Sequence, residues 1–210
     1  MIRYAITDGA RFGADAAAGA DPKARLAGLA ADAARWADLG VDFVQLREKT
    51  LGGSELLRLA SAMAGVFKEQ GGTTKLLVNG RADVAVASGA DGVHLTSGVD
   101  ELTVEQVRRV MAGAVVSVSC HSLEDVERAR EAGVDLILFG PVFGKSLRGE
   151  VVVEGVGLEV LREACVAAAG VRVLALGGVD EGNMGECVEV GAVGIAGIRL
   201  FTSWGSRAQL

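Results

Sequence analysis

The sequence predicts a parallel α/β protein, a single-domain (β/α)8 TIM barrel spanning residues 1–210, and three observations carry that prediction. A short phrase recurs four times: Gly40-Val41-Asp42-Phe43-Val44-Gln45-Leu46, Gly89-Ala90-Asp91-Gly92-Val93-His94-Leu95, Gly133-Val134-Asp135-Leu136-Ile137-Leu138-Phe139 and Gly191-Ala192-Val193-Gly194-Ile195-Ala196. A helix-closing glycine that feeds a buried apolar run is how a helix-to-strand junction of a parallel sheet reads. Between the copies lie further strand-like runs at 2–7, 75–79, 115–119 and 171–176, which brings the strand count to eight. The third observation is helical punctuation in the intervening segments, at 26–39, 54–67, after Leu102, and at 123–132, 158–168 and 183–190. Eight strands alternating with helices over 210 residues make a barrel shorter than the roughly 250 residues typical of the fold. A doubly wound open sheet uses the same alternation and is the competing architecture.

Composition narrows the class. Half of the residues are hydrophobic, only two are proline, and no polar tract reads as a linker, which fits one globular domain with a sizeable core. No apolar run reaches the ~18 residues of a membrane span, and Met1-Ile2-Arg3-Tyr4 enters a strand directly, so a cytoplasmic protein with no membrane partner is expected. The net charge of −6 argues against nucleic acid but leaves room for a phosphorylated small molecule held by a local basic cluster. Cys120, Cys165 and Cys187 are scattered, without metal-ligand spacing or a disulfide framework. The Ala, Gly and Asp-rich stretch 10–24 reads equally as an active-face loop after the first strand or as a plain surface loop.

Alternation along the strands locates candidate site residues. In Phe43-Val44-Gln45-Leu46-Arg47-Glu48-Lys49 the residues Val44 and Leu46 share one face, and Gln45, Arg47 and Lys49 share the other. The apolar face must meet the helices, so the polar set points into the barrel and its mouth, where barrel active sites sit. Two cations and an amide there are poor core material and good ligands for a phosphate or diphosphate, although a solvated charge run past a strand end would read the same way. The same parity turns Asn79 inward at the end of the third strand, and Ser117, Ser119 and His121 inward at the fifth. His121, beside hydroxyls past a strand end, suits proton transfer near neutral pH. His94 also points inward, where a lone histidine is more often a satisfied core group than a catalytic one.

A phosphate grip is expected across the mouth. Leu176-Gly177-Gly178-Val179 ends the seventh strand and Gly197-Ile198-Arg199 the eighth. Barrels frequently bind phosphate with backbone N–H groups of these two loops. A Gly-Gly pair alone is equally a turn; its place after the seventh strand is what gives it weight.

Tyr4-Ala5-Ile6-Thr7-Asp8, Val44-Gln45-Leu46-Arg47-Glu48-Lys49, Asn79-Gly80-Arg81-Ala82-Asp83-Val84-Ala85, Ala90-Asp91-Gly92-Val93-His94-Leu95, Phe139-Gly140-Pro141-Val142-Phe143 and Ala175-Leu176-Gly177-Gly178-Val179 occur in this order along nearly the whole chain. Together they resemble the successive motifs of the thiamine phosphate synthase family, which also contains thiazole tautomerases. The resemblance implies a (β/α)8 barrel enzyme that joins a hydroxymethylpyrimidine diphosphate to a thiazole phosphate and releases diphosphate. It further implies that Gln45, Arg47, Lys49 and Asn79 hold the pyrimidine diphosphate and that Ser119 contacts the substrates. Gly177, Gly178, Ile198 and Arg199 would hold the thiazole phosphate. A homo-oligomer stays open.

The chain departs from the family pattern where the metal belongs. Family synthases carry Asn-Asp at the end of the third strand, the Asp being a Mg²⁺ ligand, and here the pair is Asn79-Gly80. The second family Asp falls on Val99, with Asp100 one place later as a weak substitute. Mg²⁺ is the cofactor the resemblance implies, with one expected Asp ligand replaced by Gly80. After Phe143, Gly144-Lys145-Ser146-Leu147-Arg148 stands where the family has Thr-x-Thr-Lys, with Arg148 in the lysine's place, and Arg199 stands where Ser is usual. Three readings follow. The first is a synthase-type transferase with Ser119, His121 and Arg148 as candidate catalytic groups and Lys145, Arg148 and Arg199 covering the lost carboxylate. The second is a metal-free tautomerase-like isomerase of a thiazole carboxylate phosphate, with His121 as acid/base. The third is a non-catalytic phosphate-binding barrel.

Overall fold

The structure is a computed structural model and describes residues 1–9, 22–96, 102–147 and 150–202. In chain order its elements are β1 (Ile2–Ile6), α1 (Pro22–Asp38), β2 (Phe43–Leu46), α2 (Gly53–Glu69), β3 (Lys75–Asn79), α3 (Ala82–Ser88), β4 (Gly92–Leu95), α4 (Val104–Val110) and β5 (Val115–Cys120). There follow α5 (Leu123–Ala132), β6 (Leu136–Phe139), β7 (Lys145–Leu147), β8 (Glu150–Val153), α6 (Gly157–Ala167), β9 (Arg172–Leu176), α7 (Met184–Glu189) and β10 (Gly194–Gly197). A 3₁₀ turn (Leu200–Thr202) ends the described chain.

Eight strands pair in parallel and close on themselves in the order β1-β2-β3-β4-β5-β6-β9-β10, with β10 returning to β1. Closure removes the open-sheet alternative. β7 and β8 lie outside the barrel as an antiparallel hairpin between β6 and α6, so the barrel's seventh and eighth strands are β9 and β10. Two elements were not anticipated. The hairpin arms are three and four residues long, and α3 is seven residues closed by the left-handed Gly89.

The recurrent phrase has a structural cause in each half. Gly40, Gly89, Gly133 and Gly191 all take positive φ, between 67° and 115°, which ends each helix with little strain. The Asp that follows in three copies accepts a backbone N–H of the preceding strand: Arg3 on Asp42 at 2.8 Å, Leu76 on Asp91 at 2.9 Å and Val116 on Asp135 at 2.8 Å. Each carboxylate thus stitches the start of one strand to the start of its neighbour. This pattern sits at the N-terminal rim, the face that stabilises rather than reacts.

Side-chain alternation divides the core in two. Tyr4, Ile6, Phe43, Leu77, Leu136, Leu138, Leu174 and Ala196 fill the barrel interior. Ala5, Val44, Leu46, Val78, Val116, Ile137 and Ile195, the alternate positions on the same strands, pack outward against the helices. Among the described residues no helix is long and apolar enough to cross a membrane.

Candidate active site

The interior apolar layers give way to polar groups toward the C-terminal rim. Gln45 is 1% exposed inside the barrel, and its Nε2 has no hydrogen-bond partner among the described residues. Past the end of β2, Thr7 N–H donates to the Gln45 carbonyl at 3.0 Å and Arg47 N–H donates to Thr7 Oγ1 at 2.9 Å. The β1–β2 register therefore persists beyond the strands and keeps Arg47 on the inward parity. Arg47 is half-buried, Lys49 exposed and Asn79 half-buried opposite His94 in the β3–β4 register. Neither Arg47 nor Lys49 forms an ion pair with another described residue, whereas Arg25, Lys75 and Arg108 do.

Glu48, inside the same motif, does something the sequence reading did not assign. It lies on the opposite parity, is buried, and accepts the N–H of Gly9 at 2.9 Å together with the guanidinium of Arg25 from α1. Arg25 also donates to Thr50 Oγ1 at 2.9 Å. Glu48 thus ties α1 and the segment leaving β1 to the end of β2. A carboxylate at an otherwise apolar parity was the signal that could have revealed it.

A hydrogen-bonded chain runs through the barrel below the rim. Tyr4 Oη lies 2.9 Å from Ser117 Oγ, which lies 2.8 Å from His94 Nδ1, and His94 Nε2 lies 3.0 Å from Ser119 Oγ. Burial, with the Arg47 charge adding to it, depresses the His94 pKa to about 3, so the imidazole is neutral at physiological pH. Burial likewise pushes the Tyr4 phenol well above its ordinary value. His94 is the satisfied interior group rather than an exposed acid.

His121 stands just past β5. Its backbone N–H and that of Ser122 donate to Asp125, whose own N–H donates to Ser122 Oγ, a reciprocal cap that starts α5. The His121 ring is exposed at its edge, with Nδ1 2.5 Å from the Gly140 carbonyl. The intervening Cys120 faces the helices, and burial pushes its thiol up to about 12, which rules it out as a nucleophile.

Across the mouth at the same rim, Val142 N–H donates to the Leu176 carbonyl at 2.8 Å and Phe143 N–H to the Gly177 carbonyl at 2.9 Å. Gly177 and Gly178 have φ of 90° and 66°, and a Cβ on either would strike Pro141 or Phe143 at 2.6 Å. The glycine pair therefore has a packing role, and its N–H groups meet no protein acceptor among the described residues. Asn183 Nδ2 donates to the Gly178 carbonyl at 3.0 Å, while Asp180 caps Gly182 and Asn183, which fixes the turn into α7. Ile198 and Arg199 follow β10 and are exposed.

Gln45, Arg47, Lys49, Asn79, Ser119, His121, Gly177, Gly178, Ile198 and Arg199 thus all lie at or just beyond the C-terminal ends of barrel strands. Asp100 and Arg148 lie outside the described residues. For Mg²⁺, Gly80 brings no donor side chain to the end of β3, and Asp83 is held by Arg81 at 2.6 Å. Among the described residues no three His, Cys, Asp or Glu side chains gather as a metal site. The described donors do not fit a carboxylate-bound Mg²⁺.

A closed parallel barrel whose C-terminal rim carries, among the described residues, cations without ion-pair partners and an amide without a hydrogen-bond partner has the architecture of (β/α)8 enzymes. The family model described as thiamine monophosphate synthase matches residues 17–201, and the chain belongs to that family, hence among the transferases of thiamine biosynthesis. It is 36% identical over 167 residues to the thiamine-phosphate synthase of Methanoculleus marisnigri, covering 79% of this chain and 76% of that one. To the thiamine-phosphate synthase of Methanoregula boonei it is 35% identical over 195 residues, covering 92% and 82%. The solved thiamine phosphate pyrophosphorylase of Pyrococcus furiosus superposes with a TM-score of 0.75 at 25% identity, over 94% of this chain and 85% of that one.

Proposed function

We propose that this barrel transfers the pyrimidinylmethyl group of a hydroxymethylpyrimidine diphosphate to the ring nitrogen of a thiazole phosphate. The methylene C–O bond breaks, its electrons leave with diphosphate, and the thiazole nitrogen supplies the pair for the new C–N bond. The observation that carries the reading is the buried Gln45 Nε2, a donor without a good partner beneath the unpaired Arg47. A nitrogen heterocycle with an anionic arm satisfies both at once: its ring acceptor meets the amide and its diphosphate meets Arg47 and Lys49. Negative charge grows on the leaving diphosphate as the methylene becomes cationic, and cations fixed by β2 stabilise it without reorganising. The N–H groups of Gly177 and Gly178 are suited to the thiazole phosphate, with Arg199 beside them and Asn79 and Ser119 contacting the pyrimidine diphosphate.

The test mixes the protein with both precursors and follows thiamine phosphate and diphosphate. Turnover is expected, and Arg47→Ala should lower kcat/KM by about 1.5–3 kcal/mol. Unchanged kinetics in that variant would remove Arg47 from the site. A second reading, the thiazole carboxylate phosphate tautomerase, draws on His121, whose ring is oriented through Nδ1 and leaves Nε2 without a partner among the described residues. Proton exchange on the thiazole substrate alone, with no diphosphate released, would favour it.

A further inference from the structure

His94 takes no part in the chemistry above, yet it is one of only two histidines in the chain and the centre of the buried hydroxyl network. We infer that His94 is a positioning residue: its neutral ring carries the proton on Nε2, donates to Ser119, and so turns the Ser119 hydroxyl proton outward to an anionic diphosphate oxygen. This rests on the proposed reading only in that the ligand is a diphosphate.

Donor counting gives the direction. Tyr4 and Ser117 are fully buried, so each hydroxyl proton needs an acceptor within the network. With Nδ1 as acceptor, Tyr4 donates to Ser117 at 2.9 Å and Ser117 donates to Nδ1 at 2.8 Å. The ring proton is then on Nε2, at 3.0 Å from Ser119 Oγ, a normal length for N–H···O. Reversing the chain puts the proton on Nδ1 and makes Ser117 donate to Tyr4. The phenol proton then has no acceptor, because Ser117 Oγ and His94 Nδ1, the hydrogen-bond partners of Tyr4 among the described residues, both carry protons directed within the chain. The reversed chain also spends the Ser119 proton on Nε2 and presents only lone pairs to an anion. The Arg47 charge disfavours the doubly protonated ring, so the choice lies between the two neutral forms.

Long-range ¹⁵N–¹H spectra of the ligand-free protein read the tautomer directly, with a His121→Asn variant assigning the two rings. A His94 ring protonated on Nε2 is expected, and an Nδ1-protonated ring would overturn the inference. Calorimetry with inorganic diphosphate supplies the second arm. Ser119→Ala and His94→Phe should each weaken binding about 10- to 100-fold, the range of one hydrogen bond to a charged group, and the double variant should be no weaker than either single one. His94→Gln, which can keep an N–H toward Ser119, should stay within about threefold of the wild type. Additive losses, or no diphosphate binding by the wild type, would overturn it. If His94→Phe fails to fold, the wild-type tautomer decides. A wild type that behaves as expected in both arms yet releases no diphosphate from the two precursors would sink the synthase reading and leave this one standing.

Discussion

A Cβ on Gly177 would stand 2.6 Å from Cα of Pro141, so the loop after β6 is seated directly on the end of β9. Gly178 meets Phe143 in the same way. The Gly-Pro-Val-Phe and Gly-Gly motifs, far apart in sequence, are two sides of one contact.

The consequence is that Gly178 serves packing as well as any ligand. Its φ of 66° strains any side chain, and the Phe143 backbone stands in the way of a Cβ. Gly178→Val should therefore destabilise the protein by about 1–3 kcal/mol in urea unfolding as well as abolish thiazole phosphate binding. Binding lost at unchanged stability would show that the pair acts on the ligand alone.

Glu48 and Arg25 make a second stability prediction. Glu48→Ala leaves the Arg25 guanidinium and the Gly9 N–H without their acceptor in a site where the carboxylate side chain is 2% exposed. The expected loss is about 3 kcal/mol, read as a lowered urea midpoint at unchanged slope. A loss under about 1 kcal/mol would mean that the pair behaves as an exposed ion pair.

His94 makes folding stability pH-dependent. Its folded-state pKa of about 3 lies below the ordinary 6.5, so between these values the unfolded chain binds a proton that the folded one does not. The native state is thus favoured above pH 6.5 and loses up to about 1.4 kcal/mol per pH unit as pH falls toward 3. Comparing the pH slopes of wild type and His94→Gln isolates this residue; parallel slopes would place the histidine in contact with water.

Gly80 tests the missing carboxylate. Its φ of 63° is a left-handed conformation that Asp tolerates better than most residues. Gly80→Asp is expected to tighten Mg²⁺ binding and raise activity at low Mg²⁺. Equal Mg²⁺ dependence in the two proteins would show that this carboxylate limits nothing.

Much of the site was legible because barrel strands obey a period of two. Val44 and Leu46 on the helix side place Gln45 and Arg47 inside, and the apolar neighbours of Ser117 and Ser119 do the same for them. The β7–β8 hairpin and α3 were not read from the sequence: none of the three is one of the recurrent glycine-led runs, and the hairpin pairs outside the barrel. Glu48 escaped because its motif reads as one charged run until parity and the Arg25 contact separate it from Arg47 and Lys49.

By itself the sequence determined the eight strands, their glycine-closed helices and which residues face inward, since these follow from local periodicity and backbone preference. Tertiary structure alone decided which inward groups meet. Tyr4 reaches His94 and Ser117, 90 and 113 residues away, only because barrel closure carries β1 opposite β4 and β5. The same closure takes His94 out of water, and the loss of hydration makes it a neutral link in a chain rather than an acid.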